Sequence, residues 1–281
     1  MRHLTSLGFR LVSALILSLS TGCEQTVELG SIPYEEKLVV RGILEPGKSV
    51  IIYFTRTLSL EEPFSGDKAA IANVEGTIVC EGVSFSLLHL GPVLINGVKT
   101  GFAEYSMGGG VIAQAGKIYE LAASWNGHTI RAHTRVPDSA IIDTTYVDPS
   151  TLSRRSHSII TQITSQYSTV YAADYDVAGR SPLNVGFLAA LVKPDVQGEK
   201  VSINILIDSS YKSIWRDSLY SRIIGFDTPF YDYYRSRRNS RPSSSLLNIS
   251  GTAGPVFWNV EGEGLGMFVG MNITRKKVFV P

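Results

Sequence analysis

Residues Ile118–Arg135 read IYELAASWNGHTIRAHTR, and this stretch decides the fold class. Two runs of strand-forming residues flank Asn126-Gly127, and an Asn-Gly pair between such runs is the strongest short signal for a β-hairpin. His128 and His133 are an odd number of positions apart, so they are predicted to lie on opposite faces of the second strand. The stretch therefore predicts an antiparallel hairpin and disfavours a metal site shared by the two histidines.

The residues before this hairpin continue the pattern of short β-strands. Strands are predicted at Lys37–Leu44 and Ser49–Arg56, and a second hairpin is predicted over Glu81-Gly82. The segment Leu60–Asp67 contains Pro and Gly and is predicted to be a loop. Strands of this length without helical periodicity indicate an antiparallel, immunoglobulin-like β-sandwich over residues 37–137.

Residues 138–281 predict a second β-rich unit with one helix. Within it, Ser158–Tyr167 and Val170–Asp176 are interpreted as a pair of adjacent strands. The helix is predicted near residues 227–238, because Asp227 or the next residue can cap it and Pro229 suits its first turn. Aromatic residues then recur at intervals of three and four. The predicted fold class is mainly β, with a sandwich followed by a β-rich unit that contains this helix.

The first residues of the chain indicate an address rather than a fold. Leu11–Cys23 reads LVSALILSLSTGC, Arg2 and Arg10 precede its apolar core, and the first acidic residue is Glu24. A basic start, a short apolar run and small residues are typical of a secretory signal peptide. The run is too short to cross a bilayer as an ordinary helix. Its end, Leu19–Cys23, resembles the lipobox of bacterial lipoproteins, whose cysteine is acylated and becomes the first mature residue.

The predicted organisation follows from this resemblance. The signal peptide comprises residues 1–22, a lipidated tether comprises residues 23–36, and the two β-rich units occupy residues 37–137 and 138–281. The whole chain holds 26 Lys and Arg and 25 Asp and Glu. Removal of the signal peptide takes away two arginines and no acidic residue, so the remaining chain is close to neutral. This balance argues against nucleic acid as a partner.

The chain contains two cysteines, Cys23 and Cys80. If Cys23 carries lipid, Cys80 has no partner within the chain for a disulfide bond. Cys80 ends a strand-like run, Thr77–Cys80, and a thiol in such a place is most often a small apolar side chain of the core. We therefore predict that Cys80 is a core thiol and that Cys23 is the site of lipidation.

Several segments resemble the DUF4249 family of Bacteroidetes outer-membrane lipoproteins, whose members carry a phrase like LVVNGLL early in the mature chain. The matching segments are Leu38–Leu44, Val50–Arg56, Val74–Gly82, Tyr119–Pro137 and Phe257–Gly270. The resemblance implies an envelope lipoprotein, often encoded beside a TonB-dependent outer-membrane receptor. The family has no assigned activity that the resemblance could carry over to this chain. Glu24 after the lipidated cysteine is not the aspartate that retains enterobacterial lipoproteins in the inner membrane, which favours the outer membrane.

The predicted helix contains a cluster of arginine and tyrosine residues. Arg235, Arg237 and Arg238 are candidates for binding the phosphate groups of lipopolysaccharide or the acidic loops of a receptor. The alternative is structural, because cations stabilise the negative end of a helix. Trp215 and Trp258 are candidates for a platform on which sugars stack, and here the alternative is that both belong to the core.

Two further groups of residues have a structural and a functional interpretation. Asp174 and Asp176 lie on one face of a predicted strand, where they could bind a hard cation, but they are too few for a calcium site. A solvated strand edge is the favoured interpretation. The four glycines of the last strand region do not form G-x-G-x-x-G and no helix follows, so they predict a tight turn or bulge that brings the backbone close to a neighbour. These glycines are Gly262, Gly264, Gly266 and Gly270.

The sequence contains neither a G-x-S-x-G nucleophile elbow nor an H-E-x-x-H zinc motif. The expectation is therefore a non-catalytic protein without cofactor or metal. It would be held at the outer membrane by a lipid, on the periplasmic face or the cell surface, as an accessory to a TonB-dependent transporter in ligand capture or uptake. The alternative expectation is a surface adhesin or a glycan-binding module.

Overall fold

Antiparallel β-strands make up most of the fold, which confirms the mainly β class. The computed structural model describes residues 34–59, 61–151, 156–177, 191–208, 218–239 and 255–280. The helices are α1 Gly66–Ala69 and α2 Pro229–Asn239, with a short 3-10 helix at Pro149–Thr151. The strands are β1 Leu38–Leu44, β2 Ile51–Arg56, β3 Glu75–Cys80, β4 Val83–Ile95, β5 Val98–Met107, β6 Ile118–Trp125, β7 His128–Arg135, β8 Ile141–Val147, β9 Ser156–Thr164, β10 Thr169–Val177, β11 Leu191–Val192, β12 Lys200–Asp208, β13 Leu219–Asp227, β14 Val260–Gly262 and β15 Gly264–Lys277.

In the described part of the chain these strands form a large sheet and a small one. The large sheet has the order β11-β10-β13-β15-β1-β2-β5-β4-β3-β6-β7-β14, and the small sheet has the order β12-β9-β8. The sequence predicts antiparallel pairing, whereas β1 and β15 pair in parallel, with Val40 opposite Gly266. Because β15 also pairs with β13, one sheet crosses the predicted boundary at residue 137, and residues Glu36–Pro281 form one compact unit.

The first half of the chain packs as two layers around one core. Strands β1, β2 and β5 supply Ile52, Phe54 and Tyr105, and the facing strands β3, β6 and β7 supply apolar residues such as Leu121 and Ile130. The rings of Phe54 and Tyr105 meet edge to face, with centroids 5.2 Å apart. Buried and exposed residues alternate along β6 and β7, as expected for strands with one face on a core. This arrangement is the predicted β-sandwich.

Short two-residue turns join the strands of this half. The hairpins predicted over Glu81-Gly82 and Asn126-Gly127 are confirmed, and all four residues have φ between 47° and 84°. Such angles are typical of the tight turns that match strand twist. A third hairpin, over Asn96-Gly97, joins β4 to β5 and was not predicted. Gly91 and Pro92 interrupt the apolar run before it, although β4 continues through them with a register shift.

The interpretation of Ser158–Tyr167 and Val170–Asp176 as adjacent strands is wrong. Strand β9 pairs with β8 and β12 in the small sheet, whereas β10 pairs with β11 and β13 in the large one. Every residue of β10 is buried. Tyr171 and Tyr175 face the core shared with the small sheet, and Val170 and Ala172 face a core completed by α2. The small sheet, which contains β9, covers one face of β10, so β9 lies over β10 rather than beside it.

The helix predicted near residues 227–238 is confirmed by α2. The predicted loop Leu60–Asp67 runs at Gly66 into the four-residue helix α1, and Leu60 lies outside the described residues. No helix within the described ranges is both long enough and apolar enough to cross a membrane.

The glycines of β15 allow it to lie against two other strands. A Cβ atom at Gly264 would lie 2.8 Å from the carbonyl oxygen of Leu38 in β1, and one at Gly270 would lie 2.6 Å from Cα of Val136, just after β7. Gly266 has φ of +129°, which side-chain-bearing residues rarely adopt. The predicted close approach is thus confirmed, and its partners are the first strand and the end of β7.

Candidate functional site

Helix α2 is held on the large sheet by aromatic contacts. Phe230 stacks on Phe226 of β13 with ring centroids 4.1 Å apart, and Tyr234 is 6.4 Å from Phe230 on the same side. Both α2 residues pack against the core cluster around Val170 and Ile224. The spacing of four between Phe230 and Tyr234 places these rings on one face of the helix, and the arginines occupy the remainder.

One stack of side chains connects α2 with the segment before β14. The guanidinium of Arg237 lies 5.9 Å from the ring centroid of Tyr233, and its Nη1 donates a hydrogen bond of 2.9 Å to the Tyr233 hydroxyl. The Tyr233 ring also lies 5.5 Å from the Trp258 ring, centroid to centroid. The backbone N–H of Phe257 donates to Oγ of Ser236 at 2.8 Å, which fixes this segment beside the helix. The structure therefore brings Arg237 and Trp258 together.

A second stack lies around Tyr231, two residues before Tyr233 and therefore about 200° around the helix from it. Arg235 lies 5.5 Å from the centre of the Tyr231 ring, and Lys193 lies 5.4 Å from it. Lys193 follows β11 and is far from the helix in sequence, so sequence reasoning missed it. The signal that could have found it, a lysine directly after an apolar run, is too common to single out a site.

The charged groups of these stacks are available to a ligand. Arg235, Arg237 and Arg238 are exposed, whereas the tyrosine rings beneath Arg235 and Arg237 are half-buried. Guanidinium groups over aromatic rings are oriented for bidentate hydrogen bonds to carboxylate or phosphate. We name this set the α2 surface: Tyr231, Tyr233, Arg235, Arg237, Arg238, Lys193 and Trp258. Arg237 and Arg238 also lie in the last turn, so the helix-end interpretation applies to them as well.

The tryptophan candidates differ in what the structure describes. Trp258 is half-buried against Tyr233, and its neighbour Phe257 is 43% exposed. Trp215 lies outside the described residues, as does the lipidation candidate Cys23. The described part of the proposed sugar platform is therefore one exposed phenylalanine beside one partly covered tryptophan.

The interpretation of Asp174 and Asp176 as a solvated strand edge is wrong. Both side chains are buried, and Asp176 is 1% exposed. Asp176 forms an ion pair of 3.0 Å with Arg275 of β15, and Asp174 forms one of 3.4 Å with Arg222 of β13. Burial raises the pKa of Asp174, which the backbone N–H of Tyr175 and the charge of Arg222 partly offset. The pairing arises because β10, β13 and β15 are neighbours, which no local pattern reveals.

The raised pKa of Asp174 predicts a pH dependence of stability. At pH values between the ordinary aspartate pKa, near 4, and the higher folded pKa, Asp174 loses its proton when the protein unfolds. The free energy of unfolding therefore falls as pH rises through that range. We expect Asp174→Asn to remove this fall, so that the variant gains stability relative to wild type as pH rises from the ordinary aspartate pKa, near 4, through the higher folded pKa. Urea unfolding at several pH values measures the difference.

Asp143 provides a control of opposite sign. A hydrogen bond from Lys200 lowers the pKa of this half-buried carboxyl, so its stabilising effect is present above the ordinary pKa and is lost as pH falls through the folded one. Asp143→Asn should therefore lose stability relative to wild type as pH rises. Parallel pH profiles for the two variants would contradict the assignment.

The histidine and cysteine candidates, His128, His133 and Cys80, are not brought together in the structure. His128 shares the core-facing side of β7 and lies 3.2 Å from a Glu263 carboxylate oxygen, whereas His133 is exposed on the other side, which confirms their predicted separation. Cys80 is half-buried and packs against the sandwich core, so the predicted core thiol lies at the margin of that core. Within the described ranges, no three His, Cys, Asp or Glu side chains are grouped closely enough to hold a metal ion.

Comparison with known proteins adds no family. A scan against protein-family models finds no match for this chain, and a search of curated proteins finds no matching relative. The resemblance of the segments quoted above to DUF4249 stays a prediction.

Proposed function

We propose that this protein is a non-catalytic, lipid-anchored protein of the outer membrane that assists a TonB-dependent transporter in ligand capture or uptake. The observation that carries the proposal is the sequence Leu11–Cys23, a signal peptide that ends in a lipobox-like Gly22-Cys23. The resemblance of later segments to DUF4249 supports the envelope location and the transporter as partner.

Anchoring explains how a protein without catalysis could contribute to uptake. Each acyl methylene that enters the bilayer contributes about 0.8 kcal/mol, and several chains give durable attachment. The segment Glu24–Glu36 reaches at most about 45 Å when fully extended. A folded body confined within that distance of the membrane has a high effective concentration toward other membrane proteins.

The α2 surface supports a polar partner with negative charge. Its exposed arginines lie over half-buried rings, and arginine and tyrosine are the residue types that dominate protein interfaces. An acidic loop of a transporter would meet oriented guanidinium groups there. The same chemistry would accept a phosphate group, so the partner must be identified by experiment.

The anchor is tested by metabolic labelling with a palmitate analogue in a bacterium that processes the signal. Wild type should be labelled and should sediment with membranes, and Cys23→Ala should lose both properties. Cys80→Ala is the matched control and should keep both. A Cys23→Ala protein that stays labelled and membrane-bound would contradict the proposal.

The partner is tested in the same membranes by cross-linking and affinity purification. Wild type should recover a TonB-dependent transporter, and charge reversal of Arg235, Arg237 and Arg238 to Glu should reduce the recovery at least about tenfold, as loss of a charged hot spot does. Reversal of three exposed lysines elsewhere is the control: Lys48, Lys68 and Lys200. Recovery of no transporter, together with retention of the protein on a glycan array, would favour the adhesin or glycan-binding alternative.

A further inference from the structure

The β4–β5 hairpin ends in an exposed apolar tip. Leu94 is 55% exposed, Ile95 is 63% exposed and Val98 is 69% exposed, around the turn Asn96-Gly97. Residues 90–98 read LGPVLINGV and carry no charge. Exposed apolar residues that cluster in this way mark surfaces that contact another phase or molecule. We name Leu94, Ile95 and Val98 the hairpin tip.

The hairpin tip is apolar on both of its faces. Leu94 pairs with Lys99, and Ile95 pairs with Val98, so Leu94 lies on one face while Ile95 and Val98 lie on the other. A protein surface that docks on a sheet covers one face of it. A lipid layer surrounds what enters it, and the unpaired outer edges of the hairpin limit entry to the interfacial layer, where water and headgroups can satisfy them. The two-faced pattern therefore favours lipid as the occupant.

The hairpin tip also lies at the end of the sheet where the chain enters the fold. Glu36 forms an ion pair with Arg56, and Arg56 lies opposite Leu38 at the beginning of β1. In the next strand pair, Phe54 lies opposite Ala103. Continuing this antiparallel register brings Arg56 beside the first turn-side residues of β5. The tip lies about three residues, or roughly 10 Å, beyond the level of Arg56.

An exposed aromatic residue lies at the same end. Phe64 is 71% exposed, and its ring lies over Gly101 near the start of β5. Lys99, beside the hairpin tip, forms an ion pair with Asp67 of α1. Aromatic rings next to apolar residues are characteristic of the boundary between water and lipid. Phe64 therefore extends the apolar surface on the side where the chain enters.

We propose that the hairpin tip, with Phe64, inserts into the interfacial layer of the bilayer to which Cys23 ties the chain. The inference rests on the proposed lipid anchor, which confines this end of the sheet near the membrane. The anchor alone gives durable attachment, and the tip adds a second point of contact with the same bilayer. The tip would thus fix the orientation of the folded body, rather than leaving it free on its tether.

A fluorescent label at the tip tests this orientation. Lipidated full-length protein with Cys80→Ser and Ile95→Cys is labelled with an environment-sensitive NBD dye and reconstituted into phosphatidylcholine–phosphatidylglycerol vesicles. The dye should shift to shorter wavelength and be quenched by nitroxide-labelled lipid. Val83→Cys is the matched control, because Val83 is 54% exposed at the opposite end of the same strand and should stay in water.

A second measurement separates the tip from the anchor. The unlipidated Cys23→Ala chain no longer sediments with cell membranes, but its tip should still give a weak, reversible flotation at high vesicle concentration. Ile95→Asp with Val98→Asp should lower this residual fraction at least about tenfold, whereas Val83→Asp should leave it unchanged. Equal flotation of the two variants would overturn the inference. If lipidated protein floats while the dye at position 95 stays in water, the tip inference fails and the anchor stands. If Cys23 carries no lipid, the anchor fails, and the Cys23→Ala flotation still decides about the tip.

Two other occupants are outcomes of the same experiment. A dye shift that needs transporter-containing membranes and is absent in pure lipid vesicles would overturn the inference in favour of a protein partner. A shift without vesicles, accompanied by a dimer in analytical ultracentrifugation, would overturn it in favour of a second copy of this chain.

Discussion

Gly266→Ala is expected to lower the free energy of unfolding by more than about 4 kcal/mol, a large share of the roughly 5–15 kcal/mol that stabilises a typical domain. A methyl group at Gly266 would overlap the carbonyl oxygen of Val40 and lie 2.8 Å from the carbonyl carbon. Both atoms belong to the backbone of β1 and cannot move aside alone. The substitution therefore forces apart the parallel pair β1–β15, which links the sandwich to the second half of the large sheet.

Gly91→Ala is the matched control for this prediction. Gly91 has φ of +131°, nearly the same as the +129° of Gly266, but a methyl group at Gly91 would meet nothing within 4 Å. It should cost only the backbone strain, about 1–3 kcal/mol. Urea unfolding followed by tryptophan fluorescence compares the two variants. Equal losses would show that backbone conformation, and not the contact with β1, governs the site.

The features that sequence predicts well are those decided by neighbouring residues. The hairpin over Asn126-Gly127 and the helix α2 follow from turn residues and from spacing along a few turns of chain. The same Asn-Gly signal at Asn96-Gly97 was available for the β4–β5 hairpin. Gly91 and Pro92, residue types that usually interrupt a strand, lie just before it in the sequence and obscure the signal. Local rules therefore hold even where a glycine and a proline interrupt an apolar run.

The features that sequence misses depend on partners distant in the chain. Nothing near β1 indicates that its second neighbour is β15, more than two hundred residues away. In the same way, Asp174 is buried beside Arg222 because β10 and β13 pair, and a sequence window around Asp174 shows only a polar residue. Register between distant strands decides which charges are buried, and this register is a property of the whole sheet.

The α2 surface illustrates both cases. The arginines and tyrosines within the helix were predicted as a cluster because they are close together in the sequence, and the spacing of four pairs Arg235 with Tyr231 and Arg237 with Tyr233. The positions of Lys193 and Trp258 beside them depend on how other segments pass the helix. The sequence thus predicts the central residues of this surface, whereas the residues at the margin of the surface depend on tertiary packing.

Asp227→Ala is expected to lower the free energy of unfolding by about 3 kcal/mol, because it leaves several buried donors without an acceptor. Asp227 is buried at the end of β13. Its Oδ2 accepts hydrogen bonds from Oγ1 of Thr134, at 2.9 Å, and from the backbone N–H of Arg135, at 3.0 Å. Oγ1 of Thr134 in turn accepts from the N–H of Gly270 at 2.7 Å. One carboxylate thereby connects β7, β13 and β15.

This role differs from the helix cap that the sequence suggested for Asp227. Its Oδ1 does accept the N–H of Thr228 at 2.9 Å, but the N–H of Tyr231 in the first turn of α2 donates to the carbonyl oxygen of Thr228. If capping were the main role, the variant would lose helix content in α2 with a small change in stability, because a lost cap costs about 1 kcal/mol. If the connection between strands dominates, the whole domain unfolds at lower urea concentration in one transition.

Asp138→Ala separates the buried contact from ordinary surface charge. Asp138 also binds Arg135, but through the guanidinium Nη2 at 2.6 Å and with a carboxylate that is half exposed. Exposed ion pairs contribute at most about 1 kcal/mol, so this variant should remain close to wild type. If the two substitutions have equal effects, Asp227 stabilises the fold through the charge of Arg135. Its buried hydrogen bonds to Thr134 and to the Arg135 backbone would then contribute little. A larger loss of unfolding free energy for Asp227→Ala would mean that the buried contacts among the three strands stabilise the fold. Local sequence patterns do not reveal these contacts.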